Sequence, residues 1–266
     1  MSIVIQKTKH ASPPRILIHG GEKVGKSTFA SQSDNALFLP TEEGLKGIES
    51  NALVIDGKPR LESFDEFDQA LTYAEQNMDQ FTTLVVDSAD WLEALIHEKI
   101  CVDHETENLV DAAGGYGKGY IEAANAWRWI LQRLDRINHQ GKTIILICHS
   151  KAVLFNDPLN EPYDKWQLKL HTSKSGNGSL EILKEWADVI GFVEAEKFVK
   201  RTKTDETKHR AIDSGRRWLH LQETAGFIAG NRYGLPAKIE LTWKAFMDAF
   251  QQSVSNQSNQ PLNEAA

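Results

Sequence analysis

Cysteine is nearly absent: Cys101 and Cys148 are the only two in 266 residues. Two thiols cannot build a disulfide framework, which leaves a chain held together by its core and suited to a reducing compartment. Also missing is any apolar run near the roughly 18 residues that a membrane span needs, so no membrane partner is expected. The opening MSIVIQKTKHASPP has no basic leader, no long apolar segment and no small-residue cleavage site, and a cytoplasmic location is the expectation. Nor is basic charge in excess: 30 Lys and Arg against 37 Asp and Glu give a net charge of −7. Bulk attraction to nucleic acid is thereby excluded, and any such contact must be local. There is no internal repeat.

What is present is an alternation of apolar strands and amphipathic helices. RILIH (15–19), ALFLP (36–40), NALVID (51–56), TTLVVD (82–87) and KTIILICH (142–149) read as strands. Continuous apolar runs separated by helices imply a parallel sheet covered on both faces. Helices are expected from Lys26 to about Gln32, over 64–77 with Phe64, Phe67, Ala70, Leu71 and Ala74 at helical spacing, and from Trp91 to about Val102. A long one should end near Asn138, carrying Ala126, Trp129, Ile130, Leu134 and Ile137 on one face. After 149 shorter strands near 166–170, 189–200, 211–213 and 217–222 suggest an antiparallel extension. LTWKAFMDAFQ (241–251) reads as a helix with an apolar stripe. The expected organisation is an N-terminal strand or arm over 1–14, one α/β core over 15–250, and a disordered polar tail over 251–266.

The chemistry is concentrated between the first strand and its helix. HGGEKVGKST (19–28) contains G-x-x-x-x-G-K-[ST], in which backbone N–H groups wrap a polyphosphate and the lysine reaches its outer phosphates. Gly20, Gly21, Glu22, Lys23, Val24, Gly25, Lys26, Ser27 and Thr28 form the expected cradle for ATP. Lys26 supplies the point charge and the Ser27 hydroxyl a ligand for Mg²⁺. Asp87 ends an apolar strand, so its carboxylate emerges at the carboxyl edge of the sheet, where it can hold Mg²⁺ through water or cap the next helix. Glu42 and Glu43 follow another strand at the same edge, and Glu42 is the candidate for orienting the attacking water.

These residues carry a resemblance. LFLPTEEGL (37–45) resembles the segment of RecA-type ATPases where a strand beside the phosphate loop ends in a catalytic glutamate, and VVDS (85–88) resembles their metal-binding strand. KTIILICHS (142–150) is similar to their central strand, whose terminal polar residue, here His149, senses the γ-phosphate and relays it to DNA-binding loops. The order of GGEKVGKST, VVDSADW, ICHSK, EWADVIGFVEAEKFVK and GNRYGLP is similar to phage-encoded RecA-like ATPases of the Sak single-strand annealing type, over roughly 15–250. The resemblance implies a RecA-like P-loop NTPase fold: a mostly parallel central sheet flanked by helices, with an antiparallel C-terminal extension.

It also implies an ATPase stimulated by DNA and acting in phage recombination by annealing or strand exchange, in a bacterial host cytoplasm. The assembly would be a homo-oligomeric ring or filament, with single-strand-binding protein as a candidate partner. GNRYGLP (230–236) is similar to the lysine-asparagine-arginine-aromatic-glycine motif of RadA, which makes Arg232 a finger reaching a neighbour's nucleotide; Gly230 replaces the motif's lysine, which implies slow hydrolysis. An annealing scaffold with incidental turnover and a RecA-core motor are the alternatives.

Contact with single-stranded DNA is expected at three places. One is the loop Ala112–Tyr120 with Tyr116, Lys118 and Tyr120; the second is 174–178 with Lys174. Aromatic rings among cations suit stacking of bases, worth about 1 to 3 kcal/mol each. The third is the segment 196–217, where Lys197, Lys200, Arg201, Lys203, Lys208, Arg210, Arg216 and Arg217 outnumber Glu196, Asp205, Glu206 and Asp213. His97, Cys101 and His104 share a helix face without an evident fourth ligand, and no zinc site is expected.

Overall fold

The computed structural model describes residues 12–202 and 205–259, with side chains except those of 199–212 and 257–259. The chain runs β1 (Arg15–Gly20), α1 (Lys26–Ser31), β2 (Ala36–Pro40), β3 (Asn51–Ala52), α2 (Phe64–Gln76), β4 (Thr83–Asp87), α3 (Ala89–Asp103), α4 (Lys118–His139), β5 (Thr143–Phe155) and β6 (Tyr163–Leu168). It continues through α5 (Ser179–Trp186), β7 (Val189–Thr202), β8 (Asp205–His220), β9 (Gly230–Asn231), β10 (Lys238–Glu240) and α6 (Trp243–Asn259).

The sheet order is β10-β8-β7-β1-β5-β4-β2-β3. β7, β1, β5, β4, β2 and β3 are mutually parallel, whereas β8 and β10 add antiparallel strands beyond β7. Successive strand residues face opposite sides, and both sides are buried. Leu17, Leu39, Leu84, Val86, Ile144 and Leu146 face a layer built by α2, α3, α4 and α5. Ile16, Ile18, Phe38, Val85, Ile145 and Ile147 face α1 and α6 through Phe29, Trp243 and Phe246. No helix among the described residues is long and apolar enough to cross a membrane.

Local sequence explains the helix starts. Ser63 caps α2 by accepting from the Glu66 amide at 3.2 Å, and the Glu66 carboxylate turns back to accept from the Glu62 amide, one residue before the cap, at 2.7 Å, which fixes the entry to the helix. β5 departs from expectation by running past the sheet edge. Thr143–His149 lie between β1 and β4, and Ser150–Phe155 peel off to pair antiparallel with β6.

Several expectations are corrected. NALVID is a strand only at Asn51–Ala52; a left-handed turn at Asp56 (φ 53°) ends the extended run while Leu53 and Ile55 pack on the core. The strands expected at 211–213 and 217–222 are one strand, β8, paired along β7. α5 was not foreseen. On α4 the buried tryptophan is Trp127, fully enclosed, because the inward row runs Ala123, Trp127, Ile130, Leu134, Ile137; Trp129 is 40 % exposed with the Arg133 guanidinium 4.7 Å from its ring. The tail expected to be disordered from 251 is helical to Asn259, because Phe250 and Val254 extend the stripe of Phe246 at four-residue steps and the Ser253 hydroxyl donates to the Tyr233 carbonyl. The expected arm falls outside the described residues except for 12–14, which form no strand, and 260–266 also lie outside them.

Trp127→Ala should cost about 3 to 5 kcal/mol of unfolding free energy, because a closed core site loses a large side chain. Trp129→Ala should cost about 1 kcal/mol or less, that of a surface cation–ring contact. Urea titration of both variants separates the two assignments.

Candidate functional site

β1 ends at Gly20 and α1 begins at Lys26, so residues 21–25 form a tight loop over the carboxyl edge of the sheet. Gly25 has φ of 100°, a conformation a side chain resists. A Cβ on Gly20 would stand 2.8 Å from the Val193 carbonyl oxygen, so β7 presses on the base of the loop and only glycine fits. Beneath it His19 is fully buried, bonded to the Ser150 hydroxyl and the Ile228 carbonyl, and burial pushes its pKa down to about 4.

Lys26 is 5 % exposed. Its ammonium donates to the Gly20 and Gly21 carbonyls at 3.2 and 2.7 Å. Burial lowers its pKa against the pull of Asp87. Asp87 is 1 % exposed, and neither of its carboxylate oxygens has a hydrogen bond of normal geometry. Burial raises its pKa, while the neighbouring Ser27 hydroxyl and the Lys26 ammonium work in the opposite direction. A buried carboxylate with unused lone pairs beside a hydroxyl is the donor set that a hard divalent cation takes.

Register places the remaining groups. Gly20 pairs with His149 and Pro40 with Asp87, so Glu42 after β2, Asp87 on β4 and His149 on β5 share one edge. Glu42 Oε1 is 3.9 Å from His149 Nε2, and His149 Nδ1 is 3.0 Å from Asp90 Oδ2. The His149 amide also donates to Asp90 at 3.0 Å. Asp90 holds the imidazole pKa above its ordinary value, whereas burial raises that of Glu42. Burial opposes the charge on Asp90 itself, but its hydrogen bonds with His149 keep its pKa below the usual range. Glu43, the other candidate, lines the same cleft but bonds the exposed Lys46 at 2.6 Å.

The cleft of about 690 Å³ is lined by Glu22, Lys23, Gly25, Lys26, Ser27, Thr28, Glu42 and His149, all expected. It is lined as well by Arg60, Trp91, Lys169 and Arg217, which were not placed there. Arg60 lies over the Trp91 ring at 5.3 Å. Arg217 belongs to the charged segment 196–217 and is brought to the cleft by strand pairing, while the direction of α3 brings Asp90 to His149; no local pattern encodes either.

A second cleft, of about 650 Å³, lies between the two expected loops and is lined by Tyr120, Ile121, Arg128, His171, Lys174 and Asn177, among others. Tyr120 stacks on His171 at 4.2 Å. Tyr116 is 99 % exposed, within a run of positive φ from Ala113 to Gly117, and neither it nor Lys118 lines this cleft. One face of α3 connects the clefts. Asp90 holds His149, Glu93 accepts from the His171 amide at 2.9 Å, and His97 meets the Tyr120 ring edge-on at 6.1 Å.

Arg232 lies at the opposite, amino edge of the sheet. It donates to Asp188 at 3.2 Å and to the Glu185 carbonyl at 2.6 Å, and Asp188 is also clamped by Arg15 at the start of β1. The side chains of Lys200, Arg201 and Lys203 lie outside the described residues.

A glycine-bounded cradle, a buried lysine and a buried carboxylate two strands away define a P-loop on an α/β fold, whose mostly parallel sheet has β5 between β1 and β4. The chain belongs to the AAA domain family, whose model matches residues 12–233. It is similar to the crystal structure of flagellar accessory protein FlaH from Methanocaldococcus jannaschii, at 12 % identity over 79 % of this chain and 77 % of that one, with a TM-score of 0.37. It is also similar to a KaiC-like protein from Pyrococcus horikoshii OT3, at 13 % identity over 80 % of each chain, with a TM-score of 0.38. No curated protein matches it.

The His149 ring should titrate above its ordinary value of 6.5, and Asp90→Asn should bring that titration down, both read by NMR of the imidazole against pH. The histidine's contribution to stability is present in full just below about 6.5 and is lost as pH rises through the higher folded-state value, while at the acid end the pair is lost as Asp90 protonates below its usual range. A His149 titration unmoved by Asp90→Asn contradicts the pairing.

Proposed function

We propose that the protein is a Mg²⁺-dependent ATPase that binds single-stranded DNA and promotes annealing or strand exchange in phage recombination. The observation that carries the nucleotide half is the buried Lys26 and Asp87, each short of partners at the rim of a glycine loop. In this reading the loop amides and Lys26 hold the phosphates. Ser27 and Asp87 hold the cation, which neutralises charge developing on the phosphoryl group.

Glu42 positions and deprotonates water. Burial raises its pKa, which makes it a stronger base than a free carboxylate, and His149, itself held by Asp90, stands 3.9 Å from that carboxylate. Arg232 serves a neighbouring copy. Arg232 stands at the amino edge, away from its own loop; its exposed guanidinium shares the mostly buried Asp188 with Arg15, so an incoming phosphoryl charge can take it over without leaving Asp188 unpaired. In this reading the working form is a ring or filament, with turnover slowed by Gly230 where the resembling motif has a lysine.

The DNA half rests on the second cleft, where an aromatic stack, Arg128 and Lys174 meet. Rings beside cations accept bases of any sequence. α3 gives it a mechanical tie to the nucleotide: a shift of His149 is felt by Asp90, and the same helix carries Glu93 to His171.

Phosphate release should rise on adding single-stranded DNA. Lys26→Ala should remove it together with ATP binding, and Glu42→Gln should lower turnover by about 10² to 10³ while ATP still binds. Tyr120→Ala should weaken DNA binding and leave DNA-free turnover near wild type. Lack of stimulation by any nucleic acid contradicts the DNA assignment. Undiminished strand annealing by Glu42→Gln makes the protein an ATP-loaded scaffold instead.

A further inference from the structure

We propose that Arg217 is a nucleotide-holding residue that grips the α and β phosphates from the flank opposite Glu42 and His149; this rests on the nucleotide reading above. Sheet order separates the two flanks. β1, which carries the loop, has β5, β4 and β2 on one side, and their ends supply His149, Asp87 and Glu42. On its other side stand β7 and then β8, the strand that carries Arg217.

Strand alternation aims Arg217 correctly. Leu219, two residues further along β8, is buried in the layer that faces α1, so Arg217 points to that same side. It pairs with Ala195, two residues beyond the Val193 that abuts Gly20, which sets it just past the carboxyl edge. Its Nη1 stands 3.0 Å from where a Cβ on Gly25 would be, and it lines the cleft with Lys26, Ser27 and Thr28. The backbone is fixed there: the Leu241 amide donates to the Arg217 carbonyl at 3.1 Å.

The guanidinium has no ion pair or side-chain hydrogen bond among the described residues. A guanidinium with no counter-ion among the described residues, held against a loop that carries Lys23 and Lys26 against the single acid Glu22, leaves a local excess of positive charge for an anion to fill. A phosphate chain is such an anion, and a guanidinium fork takes two of its oxygens at once. Because the γ-phosphate end belongs to the β5, β4 and β2 flank, the contact falls on phosphates that ATP and ADP share.

The test is titration of fluorescent Mg·ATP and Mg·ADP into the full chain. Arg217→Ala should raise Kd for both nucleotides by the same factor, about tenfold. Arg217→Lys should recover part of the loss, since it restores the charge but not the fork. Normal binding by wild type with Arg217→Ala unaffected overturns this proposal alone, as does a loss confined to ATP. Failure of wild type to bind either nucleotide overturns the nucleotide reading and this proposal with it.

Discussion

Two opposite charges, Lys26 and Asp87, are taken out of water at one edge of a parallel sheet, and neither is fully satisfied there. Burial disfavours the charged form of each, so the lysine pKa falls and the aspartate pKa rises. Lys26 has folded back on the carbonyls of its own loop, whereas Asp87 has no hydrogen-bond partner of normal geometry. Buried charges left in this way lower stability unless a ligand completes them. An anion for the ammonium and a cation for the carboxylate relieve both at once, and a metal-bound polyphosphate is both.

The sheet distributes the remaining tasks around that pair. Strands β2, β4 and β5 bring Glu42, Asp87 and His149 to one flank, and β7 and β8 bring a guanidinium to the other. The amino edge holds Arg232 in a network with Asp188, Arg15 and Asp135, away from the glycine loop of its own chain. β5 does double duty. Its first half completes the parallel sheet, and its second half leaves the edge with β6, which ends just before His171, the residue on which Tyr120 stacks. The site and the second cleft are thus held by one strand and by one helix, α3.

Legibility followed how local each signal was. The phosphate loop, the apolar strands and the residues that end them could be read because each depends on a few consecutive residues: Lys26 after Gly25, Asp87 after Val86, His149 after Cys148. Trp127 was missed in favour of Trp129 because two tryptophans two positions apart point to different sides of a helix, and composition does not say which side is covered. α5 escaped notice because its inward row, Leu180, Leu183 and Trp186, spans only two turns and follows a glycine-rich loop. Arg217 enters the cleft through strand pairing, and Asp90 reaches His149 through the direction of α3, over long sequence separations that no local pattern encodes. The helical stretch after 251 was hidden by polar composition, although Val254 continues the apolar spacing.

Isothermal titration calorimetry of Mg·ATP into the folded full-length chain interrogates the two buried charges together. One site per chain is expected, with affinity that collapses when EDTA removes the magnesium, because the phosphates and the Asp87 carboxylate then face each other without a cation between them. Folded protein that takes up no nucleotide, or that binds it equally well without magnesium, contradicts this reading of Lys26 and Asp87.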